Sequence, residues 1–355
     1  MKLKKFLQVF GAIAVVLTLV PLIAADYWWI RMFDFPHTQL TILTATAVLA
    51  YFIRFDIRWF KDYVFVTIMI ACLIFQVLKI YPYTPLHEKE VLGWTNPSSD
   101  KGIKLFTANV LQKNKDHDKL LVELQDKDPD LIILCEADTV WRNAIAPRIS
   151  PEYKYRAEMP ISNTYGMLIY SKLKLINPKV HFMVDDSIPS IHTKFVLPSR
   201  DTIQLYAIHP TPPMPQHNPS SSDRDTEMML TAKLSKASKY PVIVMGDFND
   251  VAWSNTTTLF KEVSGLLDVR IGRGLFNTYN AQSSIFRWPL DHIFVSKEFR
   301  VINIERGANI NSDHFPTYAH LHFEPEKSEE QKPEPPTKEQ LKRANDQIKS
   351  PPLKG

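Results

Sequence analysis

Val242-Ile243-Val244-Met245-Gly246-Asp247-Phe248-Asn249 is the stretch on which the fold turns. Four apolar residues in a row, bounded by turn formers, describe a strand covered on both faces. The polarity then changes abruptly. Period-two alternation sends Asp247 and Asn249 to the same side, one pleat apart. That pairs a charged acceptor with an amide that both donates and accepts. An ordinary Asp/Asn turn after a strand has the same composition, so the stretch alone leaves both readings open.

The pattern repeats on either side. Residues 131–135 are continuously apolar and end at Glu136, residues 103–109 end at Asn109, and residues 203–208 end at His209. Asp291 opens the run 292–295, and Ser312-Asp313-His314 precedes the run 317–323. Further strands are expected at 166–170 and 193–197. Helical spacing appears at 118–126, through Leu120, Leu121 and Leu124, and at 223–238, with Met228, Met229, Leu230 and Leu234 on one side. Many strands with few helices indicate an α+β sandwich with helices on the outer faces of two sheets.

In such a fold, strand ends gather on one rim. A bare carboxylate at the end of a buried strand is costly unless it is paired or binds a cation. Oxygen ligands accompanied by two imidazoles suit a divalent cation and phosphate ester chemistry. An aspartate facing a histidine from another strand fixes its tautomer and stabilises its protonated form. Each residue alone also reads as an ordinary surface group. Their order along the chain is what carries the argument.

Thr107-Ala108-Asn109-Val110, Gly246-Asp247-Phe248-Asn249, Leu290-Asp291-His292-Ile293 and Ser312-Asp313-His314, together with Glu136 and His209, resemble the motifs of the endonuclease/exonuclease/phosphatase superfamily, the deoxyribonuclease-I-like fold. The resemblance covers roughly residues 100–323. It implies a four-layer sandwich and a Mg²⁺- or Mn²⁺-dependent hydrolase of phosphate esters. Carried over by motif, Glu136 is the principal metal ligand, with Asn109 and Asp313 close to the same ion. Asp247 orients or activates water, Asn249 positions the phosphate, Asp291 pairs with His314, and His209 stabilises the phosphorane or assists the leaving group. Many relatives carry a second acid two places after the motif asparagine. Here Leu111 stands there, which favours a single ion.

The N-terminal part has a different composition. Three apolar stretches, residues 6–25, 39–53 and 63–80, are expected to cross a membrane within a domain of residues 1–81. The first matches a hydrocarbon core of about 30 Å. Trp28, Trp29, Trp59 and Tyr81 flank them as interfacial aromatics do. Lys2, Lys4 and Lys5 precede the first stretch and Arg54, Arg58 and Lys61 lie between the second and third, whereas only Arg31 lies between the first and second. The positive-inside rule then puts the N-terminus in the cytoplasm and the C-terminal domain outside a cell or plasma membrane. A cleaved signal peptide ending at Ala24-Ala25 is the alternative. This layout is similar to that of bacterial membrane-anchored members of the superfamily.

Residues 82–100 read as a Pro- and Ser-rich linker, residues 101–323 as the hydrolase domain, and residues 324–355 as a disordered Pro/Lys/Glu-rich tail. The +4 charge over 355 residues is small, and no basic stripe interleaved with aromatics is visible. A nuclease is therefore less favoured than an enzyme acting at the bilayer on a lipid head group, although Arg142, Arg148, Lys154 and Arg156 could form a modest patch. A catalytically silent binding module of the same fold is the non-enzymatic reading. Trp288 and Phe286, with the loop 210–219, are candidates to line a cleft. Cys72 and Cys135 lack zinc spacing and imply no disulfide framework.

Overall fold

The computed structural model describes residues 2–23, 26–94, 100–215 and 219–349. Ala24-Ala25, the Pro97-Ser98-Ser99 part of the linker, residues 216–218 and residues 350–355 lie outside them.

Two six-stranded sheets lie face to face. The first contains β1 (Gly102–Asn109), β2 (Leu131–Cys135), β3 (Tyr155–Met159), β4 (Met167–Ser171), β11 (Phe299–Arg306) and β12 (Thr317–Phe323), in the order β11-β12-β1-β2-β4-β3. The second contains β5 (Leu175–His181), β6 (Ser190–Val196), β7 (Thr202–Ile208), β8 (Val242–Asp247), β9 (Leu267–Asp268) and β10 (Asp291–Val295), in the order β5-β6-β7-β8-β10-β9. Alternate residues such as Leu105, Ile133 and Cys135 meet Leu205, Ile243, Met245 and Ile293 between the sheets.

The other faces are covered too. Phe106, Ile132 and Leu134 pack under α5 (His117–Lys127) and α6 (Thr139–Ile149) through Leu120, Leu124, Trp141 and Ile145. Tyr206, Val244 and Phe294 pack under α7 (Ser222–Ala237), α8 (Asn255–Ser264) and α9 (Lys338–Lys349). This is the expected four-layer sandwich. It explains why the central strands are apolar at every position rather than at alternate ones.

The sense of the strands sets the position of the polar residues. β1 and β2 are parallel, as are β7 and β8, so Asn109, Glu136, His209 and Asp247 all come at strand exits. β12 runs antiparallel to β1 and β10 antiparallel to β8, so Asp313-His314 and Asp291 come at strand entries on the same rim.

The helical part contains α1 (Lys2–Leu19), the short α2 (Trp28–Arg31), α3 (His37–Tyr51) and α4 (Phe60–Ile80). Their mutual contacts include a cluster of Leu7, Ala14, Ala47, Tyr51 and Met69. Gly11 lets α1 and α4 approach closely, since a Cβ there would come 2.5 Å from Met69 Sδ. The outer faces remain apolar, with Phe6, Leu49, Phe60 and Leu78 exposed. Among the described residues, two helices, Lys2–Leu22 and Phe60–Tyr83 with their 3-10 extensions, are long and apolar enough to cross a membrane. The expected middle span is a helix of 15 residues. At 1.5 Å per residue it reaches about 22 Å, short of the hydrocarbon thickness.

Three expectations are corrected. The tail is not structureless within its described part. Ala344 of α9 is fully buried against α7 and α8, with Leu341 and Ile348 packed beside it, and Thr226 Oγ1 donates to Gln347 O at 3.0 Å. Three apolar residues at i, i+3 and i+7 suffice to dock a short helix, a signal that the average composition hides. The described part of the linker is also built into the sandwich. Tyr83 and Val91 are buried, Tyr83 Oη donates to Ala252 O at 2.6 Å, and Glu90 accepts from Asp268 N and pairs with Lys261, both at 2.7 Å. On α7, Met228 and Met229 are buried as expected, but Leu234 is exposed. The buried face is instead shared with polar Arg224, Asp225 and Glu227.

Candidate active site

Asn109 joins the two sheets. Its Nδ2 donates to Glu136 Oε1 at 2.8 Å and to Asp247 Oδ2 at 3.0 Å, and its Oδ1 accepts from Leu111 N at 3.0 Å. Glu136 and Asn249 are held at φ of +57° and +50°, and Leu111 at +56°. Non-glycine residues adopt this left-handed region only where surrounding contacts over-determine it. Gly246, by contrast, needs to be glycine. A Cβ there would lie 2.1 Å from Ile208 O of the neighbouring parallel strand, and its φ is +144°.

The Asn249 loop is fixed from three sides. Asn249 N donates to Asp247 Oδ1 at 2.9 Å, its Nδ2 donates to Pro210 O at 3.0 Å, and its carbonyl accepts from Arg224 Nη1 at 2.9 Å. Arg224 is buried between Asp225 and Asp250, at 2.9 and 3.2 Å. The connection between α1 and α3 reaches this cluster. Ser221 N donates to Asp26 O and Trp28 N to Pro219 O, both at 2.8 Å, and Trp253 Nε1 donates to Asp34 O at 2.7 Å. Burial pushes the Asp34 carboxyl up to about 6 despite nearby Arg31.

Asp291 and His314 form the second half of the centre. His314 Nδ1 lies 2.8 Å from Asp291 Oδ2, and His314 Nε2 and His209 Nε2 lie 3.6 and 3.7 Å from Asp247 Oδ2. Burial disfavours an imidazolium, but Asp247 and Asp291 outweigh it and lift His314 to about 10. Burial would raise Asp247 as well. There His314 and His209, helped by the Asn109 amide, prevail and hold the carboxyl below its ordinary value. Burial and the Asp247 charge leave Asp291 raised, although His314 opposes them. The three groups lie within 4.8 Å of one another and so also meet the geometry of a metal cluster. The cation that this pairing stabilises is the protonated imidazole itself.

Asp313 flanks the centre. Ser312 Oγ donates to Asn109 O at 2.7 Å and so ties the Ser-Asp-His run to the bridging asparagine. Burial first, then the charges of Asp313, Asp247 and Glu136, raise the Tyr279 hydroxyl. Glu136 and Asp313 are half-buried, and neither has a Lys, Arg or His nitrogen within 4.0 Å among the described residues. Two carboxylates on one rim without a cationic partner, beside an asparagine, fit a hard divalent cation. Two buried atoms of these residues, Asp291 Oδ1 and His209 Nδ1, have no hydrogen-bond partner among the described residues.

All eight residues expected from the sequence thus lie on one rim. Arg224, Asp250, Tyr279 and Thr278, whose Oγ1 accepts from Asp291 N at 3.2 Å, were not anticipated. Asp250 immediately follows the motif asparagine, and that adjacency was the available signal. Arg224 sits in a helix between two aspartates and looks solvated from sequence. The basic patch is elsewhere. Arg148 pairs with Asp118, and Lys154 precedes β3 at the end of the first sheet opposite Glu136. Trp288 packs edge-on against Phe35, with ring centroids 5.6 Å apart, while Phe286 is exposed.

Known proteins share this fold. The structures of humanized D. rerio TDP2 (14% identity, TM-score 0.52, 63% of this chain and 100% of that one), the human Nocturnin catalytic domain with bound sulfate (16%, 0.51, 64% and 95%) and an endonuclease/exonuclease/phosphatase from Bacteroides vulgatus (16%, 0.51, 63% and 99%) are similar in fold. No curated protein sequence matches the chain. Residues 106–314, from the strand that ends at Asn109 to the histidine paired with Asp291, match the Endonuclease/Exonuclease/phosphatase family, and the chain belongs to it.

Proposed function

We propose that the chain is a membrane-anchored, divalent-cation-dependent phosphoesterase. The observation that carries this reading is the bridge Glu136–Asn109–Asp247 across the two sheets, beside the His314–Asp291 pair. Glu136, Asp313 and Asn109 would hold Mg²⁺ or Mn²⁺. Such an ion neutralises charge developing on phosphoryl oxygens and lowers the pKa of bound water.

The chain's own groups do the rest. Asp247, ionised and anchored through both oxygens, orients the attacking water and accepts its proton. Asn249, locked by Arg224, offers an amide N–H to a phosphoryl oxygen. His209 and His314 aim Nε2 at the same carboxylate oxygen from distances too long for hydrogen bonds. A phosphoryl oxygen held between them meets donors where its negative charge grows.

The membrane reading rests on the two long apolar helices and on the path of the chain. The α1–α3 connection docks on the sandwich, while Lys4 pairs with Asp62 at the far end of the helices, next to Arg54, Arg58 and Lys61. Combined with the positive-inside rule, this favours a sandwich outside the cytoplasm. A lipid head group is the preferred substrate because the site is tethered beside a bilayer. The test is hydrolysis of bis(4-nitrophenyl) phosphate by the full chain in nanodiscs. Turnover should require Mg²⁺ or Mn²⁺ and disappear in Glu136→Gln. Turnover that persists in EDTA rejects the reading.

A further inference from the structure

Two arginines on the catalytic rim have no role in the chemistry above. Arg306 is the last residue of β11. It pairs with Thr317 of β12, which pairs with Thr107 of β1, two residues before Asn109. At about 4.8 Å per strand, Arg306 stands roughly 10 Å along the rim from Asn109. Arg287 reaches the same place from the segment 279–288. Its guanidinium carbon lies 5.0 Å from the centroid of the Phe315 ring and that of Arg306 lies 4.4 Å away. Phe315 directly follows His314, and its amide donates to Thr278 O at 2.9 Å.

Both side chains are held in place by neutral acceptors. Arg287 Nε donates to Ser283 O, and Arg306 Nη1 donates to Asn277 O at 3.2 Å. Neither has a carboxylate within 4.0 Å among the described residues. Of the twelve other arginines, five, namely Arg31, Arg148, Arg224, Arg270 and Arg300, are paired with carboxylates among the described residues. Two like charges gathered over one ring repel each other. Burial and Arg287 together lower the Arg306 pKa. An anion placed between them removes that repulsion, and planar guanidinium forks match phosphate oxygens in pairs.

We propose that Arg287 and Arg306 form a second phosphate-binding site, adjacent to the hydrolytic centre and separate from it. Its ligand is a phosphate beyond the one being cleaved, carried either by the substrate itself or by a neighbouring lipid head group. Its role in substrate choice rests on the phosphoesterase reading. The binding does not.

Two measurements on the full chain in nanodiscs test it. The first is ³¹P line broadening of inorganic phosphate with EDTA present, so that no divalent ion contributes. Wild type and Glu136→Gln should broaden the line in a salt-sensitive way. Arg287→Gln/Arg306→Gln should not, while the matching double lysine variant, which keeps both charges and controls for folding, should retain part of the effect. Equal broadening by the glutamine variant and wild type overturns the site.

The second measurement identifies the source. In neutral phosphatidylcholine nanodiscs, a KM about tenfold higher in the glutamine variant for a diester bearing an extra phosphate, but not for bis(4-nitrophenyl) phosphate, assigns the ligand to the substrate. Loss of a stimulation by phosphatidylglycerol, with no change between the two diesters, assigns it to a neighbouring lipid. Phosphate binding by a protein without any hydrolysis would reject the phosphoesterase reading and leave the site standing.

Discussion

In the sandwich a group of buried polar side chains, Asn109, Asp247, Asp291 and His314 among them, meets at one rim. In the helical part the apolar side chains face outward and the few buried polar groups lie inside, as Gln76 does on Thr18 at 2.5 Å. Both regions pair buried polar groups, which are costly to leave without a partner. They differ in what surrounds them. The sandwich has an apolar interior, and its rim collects charge. The helices bury little of their apolar surface, which is the arrangement expected where lipid is the solvent. The α1–α3 connection belongs to both, since Asp26, Trp28 and Asp34 hydrogen-bond the loops that hold Asn249.

The largest effect expected from this contrast is at the rim. Asp247→Ala should lower kcat by at least a hundredfold, with a thermal midpoint close to wild type. A large fall in stability instead would make the rim structural. The next effect tests the shared seam. Arg224→Lys keeps the charge but not the fork on Asp225 and the Asn249 carbonyl, and kcat should fall about tenfold, a differential effect of about 1.4 kcal/mol. In an Asn249→Ala background the same change should cost much less, because the two act as a unit. Additive losses would separate the helical connection from catalysis.

Two smaller effects concern stability alone. Ala344→Asp puts a charge into the α7–α8–α9 contact and should destabilise by about 2–4 kcal/mol, read as a lower midpoint with unchanged kcat. Burial lifts Glu227 to about 8 from an ordinary 4.5. The folded state therefore prefers the protonated acid. Its contribution is fully present below pH 4.5 and is lost as pH rises to about 8. Glu227→Gln should raise the thermal midpoint at pH 8 and change it little at pH 5. A midpoint that rises equally at both would show that the gain is not electrostatic.

The legible part of the structure was the part written in periodicity. β2 and β12 match their expected limits, and the Gly-Asp-Phe-Asn run marks its strand end because Gly246 alone tolerates the approach of Ile208. The eight rim residues were recoverable because each closes or opens such a strand. Other features were not. β3, β5 and β11 carry charged residues at alternate or exposed positions, so their apolar runs are broken. α9 docks through three residues within a tail whose composition suggests disorder. Arg224 and Tyr279 reach the site only through tertiary packing, and local spacing holds no trace of that. The middle helix has 15 residues, the same length as the apolar run 39–53 from which a short span was expected.

The most direct test of the central claim is the rate of bis(4-nitrophenyl) phosphate hydrolysis by the full chain as Mg²⁺ or Mn²⁺ is titrated, compared between wild type and Glu136→Gln. The convergence of Glu136, Asn109, Asp247 and Asp313 predicts a saturable, EDTA-reversible dependence on the ion, lost or shifted to much higher concentration in the variant. An identical, ion-independent rate in both proteins would contradict it.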